Sequence, residues 1–180
     1  DLKSPIIVGS SGLTNSVIAV KEHADNGAGA VVLKSLFEEQ IRMESEQNIQ
    51  NVGSDNLYAE AQDYISNYTK DHNLDKYLQL IEDCKKEVDI PVIASINCVS
   101  ADGWPEFASK IEKAGADALE LNVFILPSDF ARGTDENETV YFKIVEEVQK
   151  YCTLPLSLKI SYYFTNLAQM IQKLSFTGIK

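Results

Sequence analysis

Five short apolar runs, separated by helical stretches, constrain the fold more than any other feature of this chain. They are Pro5 to Gly9, Ala30 to Leu33, Pro91 to Ile96, Ala118 to Val123 and Pro155 to Ile160. Each is rich in β-branched residues or leucine and nearly continuous, the pattern of a parallel strand covered on both faces. The intervening stretches carry apolar residues at helical spacing. Val17, Ile18, Val20 and Ala24 mark the first helix; Leu74, Tyr77, Leu78, Ile81 and Val88 mark the second. Phe107, Ile111 and Ala114 mark a third, Phe142, Val145 and Val148 a fourth, and Leu167, Met170, Ile171 and Leu174 a fifth.

Two helix exits share a signature, Gly27-Ala28-Gly29-Ala30 and Gly115-Ala116-Asp117, with Gly where a left-handed cap is needed. Thr177-Gly178-Ile179 repeats it at the end of the chain and is expected to open a sixth strand. Strand–helix units in series imply right-handed parallel crossovers. An open doubly wound sheet and a (β/α)₈ barrel both satisfy that. No Gly-x-Gly-x-x-Gly follows the first run, which disfavours a dinucleotide fold. The expected architecture is therefore α/β, a (β/α)₈ TIM barrel. A full barrel takes about 250 residues, so residues 1–180 form one partial domain, truncated after about five βα units. Such a piece is expected to leave sheet edges and a half-open core exposed.

Composition excludes several partners. With 27 acidic and 16 basic residues the net charge is -11, the wrong sign for nucleic acid or an anionic membrane surface. No run approaches the ~18 apolar residues of a membrane span. Cys84, Cys98 and Cys152 are odd in number and irregularly spaced, which suits neither a disulfide framework nor zinc and fits a reducing, cytoplasmic setting. No metal site is expected. His23 and His72 lack ligand spacing, and Asp1-Leu2-Lys3-Ser4 leads straight into a strand without a signal sequence.

Polar residues gather where the apolar runs end. Ser10 and Ser11 follow the first run, Lys34 and Ser35 the second, and Asn97 the third; Asn122 and Lys159 lie within the ends of the fourth and fifth. In a parallel barrel all of these face one mouth, where active sites form. A lysine at a strand end needs an acceptor or an anionic ligand. Lys159 has a structural alternative, pairing with Glu120 inside the barrel. Trp104-Pro105 looks like a helix start capped by Asp102. The widest interval, Ser35 to Tyr68, is polar and rich in Glu, Gln and Asn. Connections of that size are usually functional or partly disordered.

The ordered set Pro5-Ile6-Ile7-Val8-Gly9-Ser10-Ser11-Gly12, Val32-Leu33-Lys34-Ser35, Leu119-Glu120-Leu121-Asn122 and Pro155-Leu156-Ser157-Leu158-Lys159-Ile160 resembles the class 1 dihydroorotate dehydrogenase family. The resemblance runs along essentially the whole chain. It implies an FMN-dependent oxidoreductase passing hydride between a dihydropyrimidine-like substrate, such as dihydroorotate, and the flavin. It places Gly9, Ser10, Lys34, Ser35, Asn97, Asn122 and Lys159 at the cofactor. Lys159 would face the flavin edge where negative charge builds on reduction. Asn122 would also touch substrate, and so would Asn51, in a turn Asn51-Val52-Gly53-Ser54 of the family's substrate-side loop. A homodimer is implied for the intact protein. The resemblance also implies that this part alone binds FMN weakly or not at all, since barrel phosphate sites lie after strands seven and eight.

One departure bears on the chemistry. Where the family carries a proton-accepting cysteine three residues after the strand-four asparagine, this chain has Ile125, in Asn122-Val123-Phe124-Ile125-Leu126-Pro127-Ser128. Ile125 cannot take a proton, Ser128 matches only with a shift, and Cys98 follows a different strand. The resemblance thus implies that the flavin half of the site is retained while the catalytic base is unassigned. That favours a related flavin barrel with another substrate, and leaves open a non-flavin, aldolase-type barrel in which Lys159 forms a Schiff base.

Overall fold

The structure, a computed structural model, describes residues 2–51, 59–98 and 103–180. Its centre is a parallel sheet of β1 (Ile7–Val8), β2 (Ala30–Val32), β3 (Leu36–Phe37), β4 (Val92–Asn97), β5 (Ala118–Asn122) and β6 (Leu156–Lys159). The order across the sheet is β1-β2-β4-β5-β6, with β3 also paired to β4. Each new strand is added on the same side of the last. A doubly wound sheet would reverse direction part-way across; this sheet winds one way, as a barrel does, and forms a half-barrel. The five expected strands are all present.

The helices are α1 (Val17–Asp25), α2 (Glu38–Asn51), α3 (Ala59–Glu87), α4 (Gly103–Lys113), α5 (Thr134–Tyr151) and α6 (Leu167–Ser175). They cover one face of the sheet. Their apolar stripes follow from spacing: Leu74, Tyr77, Ile81 and Cys84 on α3, Trp104, Phe107, Ala108 and Ile111 on α4, Tyr141, Val145 and Val148 on α5 are all buried. From the sheet, Val92, Ala94, Ile96, Leu119, Leu121 and Leu156 meet them. The alternate residues Ile93, Glu120, Asn122, Ser157 and Lys159 point to the opposite, inner face and are only partly covered.

The wide polar interval differs from expectation. Most of it is helix, α2 and the first part of α3, which pack on each other. Between Gly29 and Gly53 there is neither glycine nor proline, and Glu, Gln and Met lose little side-chain freedom in a helix. The pattern lacks the apolar stripe that would have announced it.

The repeated helix exits are structurally equivalent. Gly27, Gly115 and Gly178 have φ of +90°, +89° and +86°. Two residues beyond each, an amide joins the preceding strand: Gly29 N–H to Ile6 O at 2.8 Å, Asp117 N–H to Val92 O at 3.0 Å and Lys180 N–H to Leu156 O at 2.8 Å. Lys180 thus bonds the start of β6 in the same way that Asp117 bonds the start of β4. At Gly29 a side chain is impossible without movement, because a Cβ there would stand 1.9 Å from Ser4 O. At Asp117 the carboxylate adds a clamp, accepting from Lys85 Nζ at 2.7 and 2.8 Å and from Val92 N–H at 2.7 Å.

Candidate active site at the strand ends

The site begins with a break between β2 and β3. Leu33 N–H still bonds Ile93 O of β4 at 2.9 Å. The next two amides turn away: Lys34 N–H goes to Thr14 O at 3.2 Å and Ser35 N–H to Ser10 Oγ at 2.9 Å. Pairing with β4 resumes only at Leu36↔Ile96. The gap leaves Ser95 of β4 without a strand partner on the β2–β3 side, although it pairs with Glu120 of β5 on the other. Tyr77 of α3 fills the gap, donating its hydroxyl to Ser95 O at 3.1 Å and accepting from Ser95 N–H at 2.9 Å. Burial is complete enough there to push the Tyr77 phenol well above its ordinary range.

The break brings five side chains, two from just beyond β1 and β2 and one each from β4, β5 and β6, into a polar line. Ser10 Oγ lies 3.1 Å from Ser35 Oγ, which lies 2.6 Å from Ser95 Oγ. Ser95 Oγ donates to Glu120 Oε1 at 2.7 Å, and Glu120 Oε1 lies 3.9 Å from Lys159 Nζ. The Glu120 side chain is only 12% exposed and Lys159 is 48% exposed. The line runs from the end of β1 to the end of β6, along the inner face. The expected alternative for Lys159, pairing with Glu120, is therefore present, and the pair still leaves Lys159 open to a ligand.

One layer closer to the mouth, Asn122 and Lys159 are register partners on β5 and β6. Asn97 Nδ2–H donates to Asn122 O at 2.7 Å. Asn97, Asn122 and Lys159 line one cavity of about 830 Å³ together with Trp104, Phe124 and Ile125. Lys34 and Ser35 line a different cavity of about 650 Å³, between the start of α1 and the helices α2 and α3. Gly9 has open space before it, since a Cβ there would meet nothing within 4 Å. Asn51 ends α2 with its side chain outside the described residues, and Val52, Gly53, Ser54 and Asp102 lie outside them too. The expected cofactor residues thus divide into a Ser10–Ser35 pair under the β2 break and an Asn97–Asn122–Lys159 group at the mouth.

At the position of the missing base, Ile125 packs partly buried against the core. The Tyr141 hydroxyl bonds the Ser161 side chain and the Ile125 backbone, and burial raises its pKa. Cys98 faces the 830 Å³ cavity, but burial pushes its thiol far above the thiolate range, so it is a poor nucleophile or base. His23 bonds Leu13 O at 3.0 Å on the surface. No group of three metal-ligating side chains occurs among the described residues, and no helix among them is long and apolar enough to cross a membrane.

Sequence reasoning missed Tyr77 and Ser95. Tyr77 reads as one more apolar residue of a helix, and nothing in the sequence announces the gap its hydroxyl fills. Ser95 lies inside an apolar run, and its polarity was the one available signal. Arg132 and Lys143, which also line the larger cavity, had no motif to mark them.

No protein-family model matches the chain. Among curated proteins it is 24% identical over 183 aligned residues to the catalytic subunit of dihydroorotate dehydrogenase B (NAD(+)) of Methanocaldococcus jannaschii, covering 99% of this chain and 57% of that protein. It is 25% identical over 178 residues to the corresponding subunit of Thermoplasma volcanium, covering 94% and 54%. The chain therefore spans about half the length of the curated relatives it matches. Solved structures with a similar fold include a dihydrodipicolinate synthase of Agrobacterium tumefaciens (TM-score 0.58, 14% identity, 98% of this chain and 52% of that one). Others are a phosphonopyruvate hydrolase (0.53, 13%, 97% and 56%) and KD(P)GA from T. tenax (0.54, 15%, 94% and 51%). These likenesses show a barrel-type fold.

Proposed function

We propose that the chain is part of an FMN-dependent oxidoreductase that passes hydride between a dihydropyrimidine-like ring and the flavin. The observation that carries this reading is the convergence of Asn97, Asn122 and Lys159 on one cavity at the C-terminal strand ends. Two carboxamides and an ammonium supply the donors and acceptors that a flavin's pyrimidine edge requires. Weak similarity to dihydroorotate dehydrogenase B along the whole chain supports the same reading.

The residues present fit the cofactor. FMN, when bound, supplies the hydride acceptor. Lys159 would stabilise negative charge developing at the ring in a site already polarised by fixed dipoles. Asn97 and Asn122 would orient the ring; Gly9, Ser10, Lys34 and Ser35, which do not line this cavity, would reach the cofactor only from the neighbouring side of the mouth. The proposed substrate need not be dihydroorotate. Ile125 offers no proton acceptor, so a dihydropyrimidine-like compound with a different proton route fits better. The intact protein is proposed to be a homodimer.

A second reading, a Schiff-base barrel, draws on the half-exposed Lys159 amine facing the cavity and on the fold shared with a dihydrodipicolinate synthase. Borohydride separates the two. With the protein made from its full reading frame, incubation with pyruvate and borohydride should leave its mass unchanged, while added FMN should lose its fluorescence on uptake. A stable adduct on Lys159 without FMN uptake would reverse the preference.

A further inference from the structure

We infer that Arg132 and Lys143 form an oxyanion-recognition element on the outer wall of the 830 Å³ cavity. The proposal rests on the reading that this cavity is the reaction site, and it assigns the chemical class of group that enters beside the reacting ring. Arg132 lies in the connection after β5 and Lys143 on α5; both line the cavity that Asn122 and Lys159 line from the strand side. Both are exposed, and neither makes an ion pair among the described residues.

The local charge balance favours an anion. Two carboxylates also border the cavity, Glu39 and Glu147. Glu147 is taken by Lys150 at 2.5 Å, and Lys159 is set against Glu120. That leaves two free cations facing one carboxylate in a chain whose net charge is -11. Positive charge gathered at a cavity in an acidic protein attracts an anionic group to that place and away from the remaining surface. Arginine suits a planar or tetrahedral oxyanion because its guanidinium presents a fixed pair of donors. Size points the same way. The cavity lies toward the upper end of the roughly 300–1,000 Å³ of small-molecule sites, much more than one pyrimidine ring fills. A ring bearing a carboxylate or phosphate, on substrate or on cofactor, uses both the aromatic wall at Trp104 and Phe124 and the cationic rim.

The test is calorimetric binding to the protein made from its full reading frame, at low salt. The probes are orotate, uracil (the same ring without the carboxylate) and inorganic phosphate. The variants are Arg132→Gln, Lys143→Gln and, as a charge control away from the cavity, Lys173→Gln. Orotate or phosphate should bind and weaken by about tenfold in each rim variant, the loss expected of one charge-assisted contact, with Lys173→Gln unchanged. Orotate alone responding assigns the rim to a carboxylate source; phosphate alone assigns it to a phosphoryl source. Uracil binding as well as orotate with phosphate not bound, rim variants without effect, or an equal loss in Lys173→Gln would each overturn the proposal. Because binding is read directly, the flavin reading can fail while this one survives, and the reverse.

Discussion

Replacing Tyr77 by phenylalanine removes one oxygen atom and strands two backbone groups. The ring stays, so packing on α3 is unchanged and no cavity arises. The Ser95 amide and carbonyl lose the hydroxyl at 2.9 and 3.1 Å that stands in for a strand partner. Ser95 is fully buried, so water does not replace it without opening the helix–sheet interface. An unsatisfied buried backbone group costs about 1–3 kcal/mol. Two of them, less the favourable removal of a buried hydroxyl, give a destabilisation of roughly 2–4 kcal/mol. For a chain of this size that is roughly 5–15 °C in Tm. Urea unfolding followed by far-ultraviolet circular dichroism, with the slope m compared between variants, measures it directly. A loss below about 0.5 kcal/mol, the range of inconsequential surface changes, would refute the reasoning. It would mean that the β2–β3 gap does not depend on Tyr77. The same variant should loosen Ser35 and Glu120, since both bond to Ser95 Oγ.

Other consequences are as specific. Gly29→Ala drives a methyl group into Ser4 O and should cost more than about 2 kcal/mol or displace the segment before β1, seen as lost thermal stability with Ala30→Gly as the comparison. Asp117→Ala removes the acceptor for Lys85 and for the Val92 amide; a loss of about 1–3 kcal/mol is expected, partly restored by Asn, and an unchanged urea midpoint would contradict the clamp. Stability should fall at alkaline pH. Burial raises the Cys84 thiol to about 11 and the Tyr77 phenol higher still. The unfolded chain gives up these protons first, so stability is intact below about pH 9 and declines from there through pH 11. Urea midpoints at pH 8 and 10.5, with Cys84→Ala reducing the difference, check the sign; equal or rising stability would contradict it.

The strands were legible because parallel strands covered on both faces leave short, continuous apolar runs, and Pro91 to Ile96 became β4 almost residue for residue. The helix exits were legible because only glycine adopts the φ near +90° that Gly27, Gly115 and Gly178 require. The connection after β3 was not, because its helices lack an apolar stripe over α2. Lys34, Ser35, Asn97, Asn122 and Lys159 stand out in the sequence as polar residues at the ends of apolar runs. How they divide was not visible. That depends on the β2–β3 break, on Tyr77 reaching Ser95 18 residues away and on Ser95 reaching Glu120 25 residues away. Such contacts follow from how helix and sheet pack, and local pattern carries no trace of them.

The central claim is a flavin held by Asn97, Asn122 and Lys159. The visible absorption spectrum of the protein purified from its full reading frame, before and after anaerobic dihydroorotate, tests it most directly. The account predicts bands near roughly 370 and 450 nm, the signature of the hydride-carrying flavin, lost or weakened in Lys159→Ala. With Ile125 in place of a base, bleaching by dihydroorotate should be slow or absent. A colourless protein that does not take up added FMN would contradict the account and favour the Schiff-base barrel.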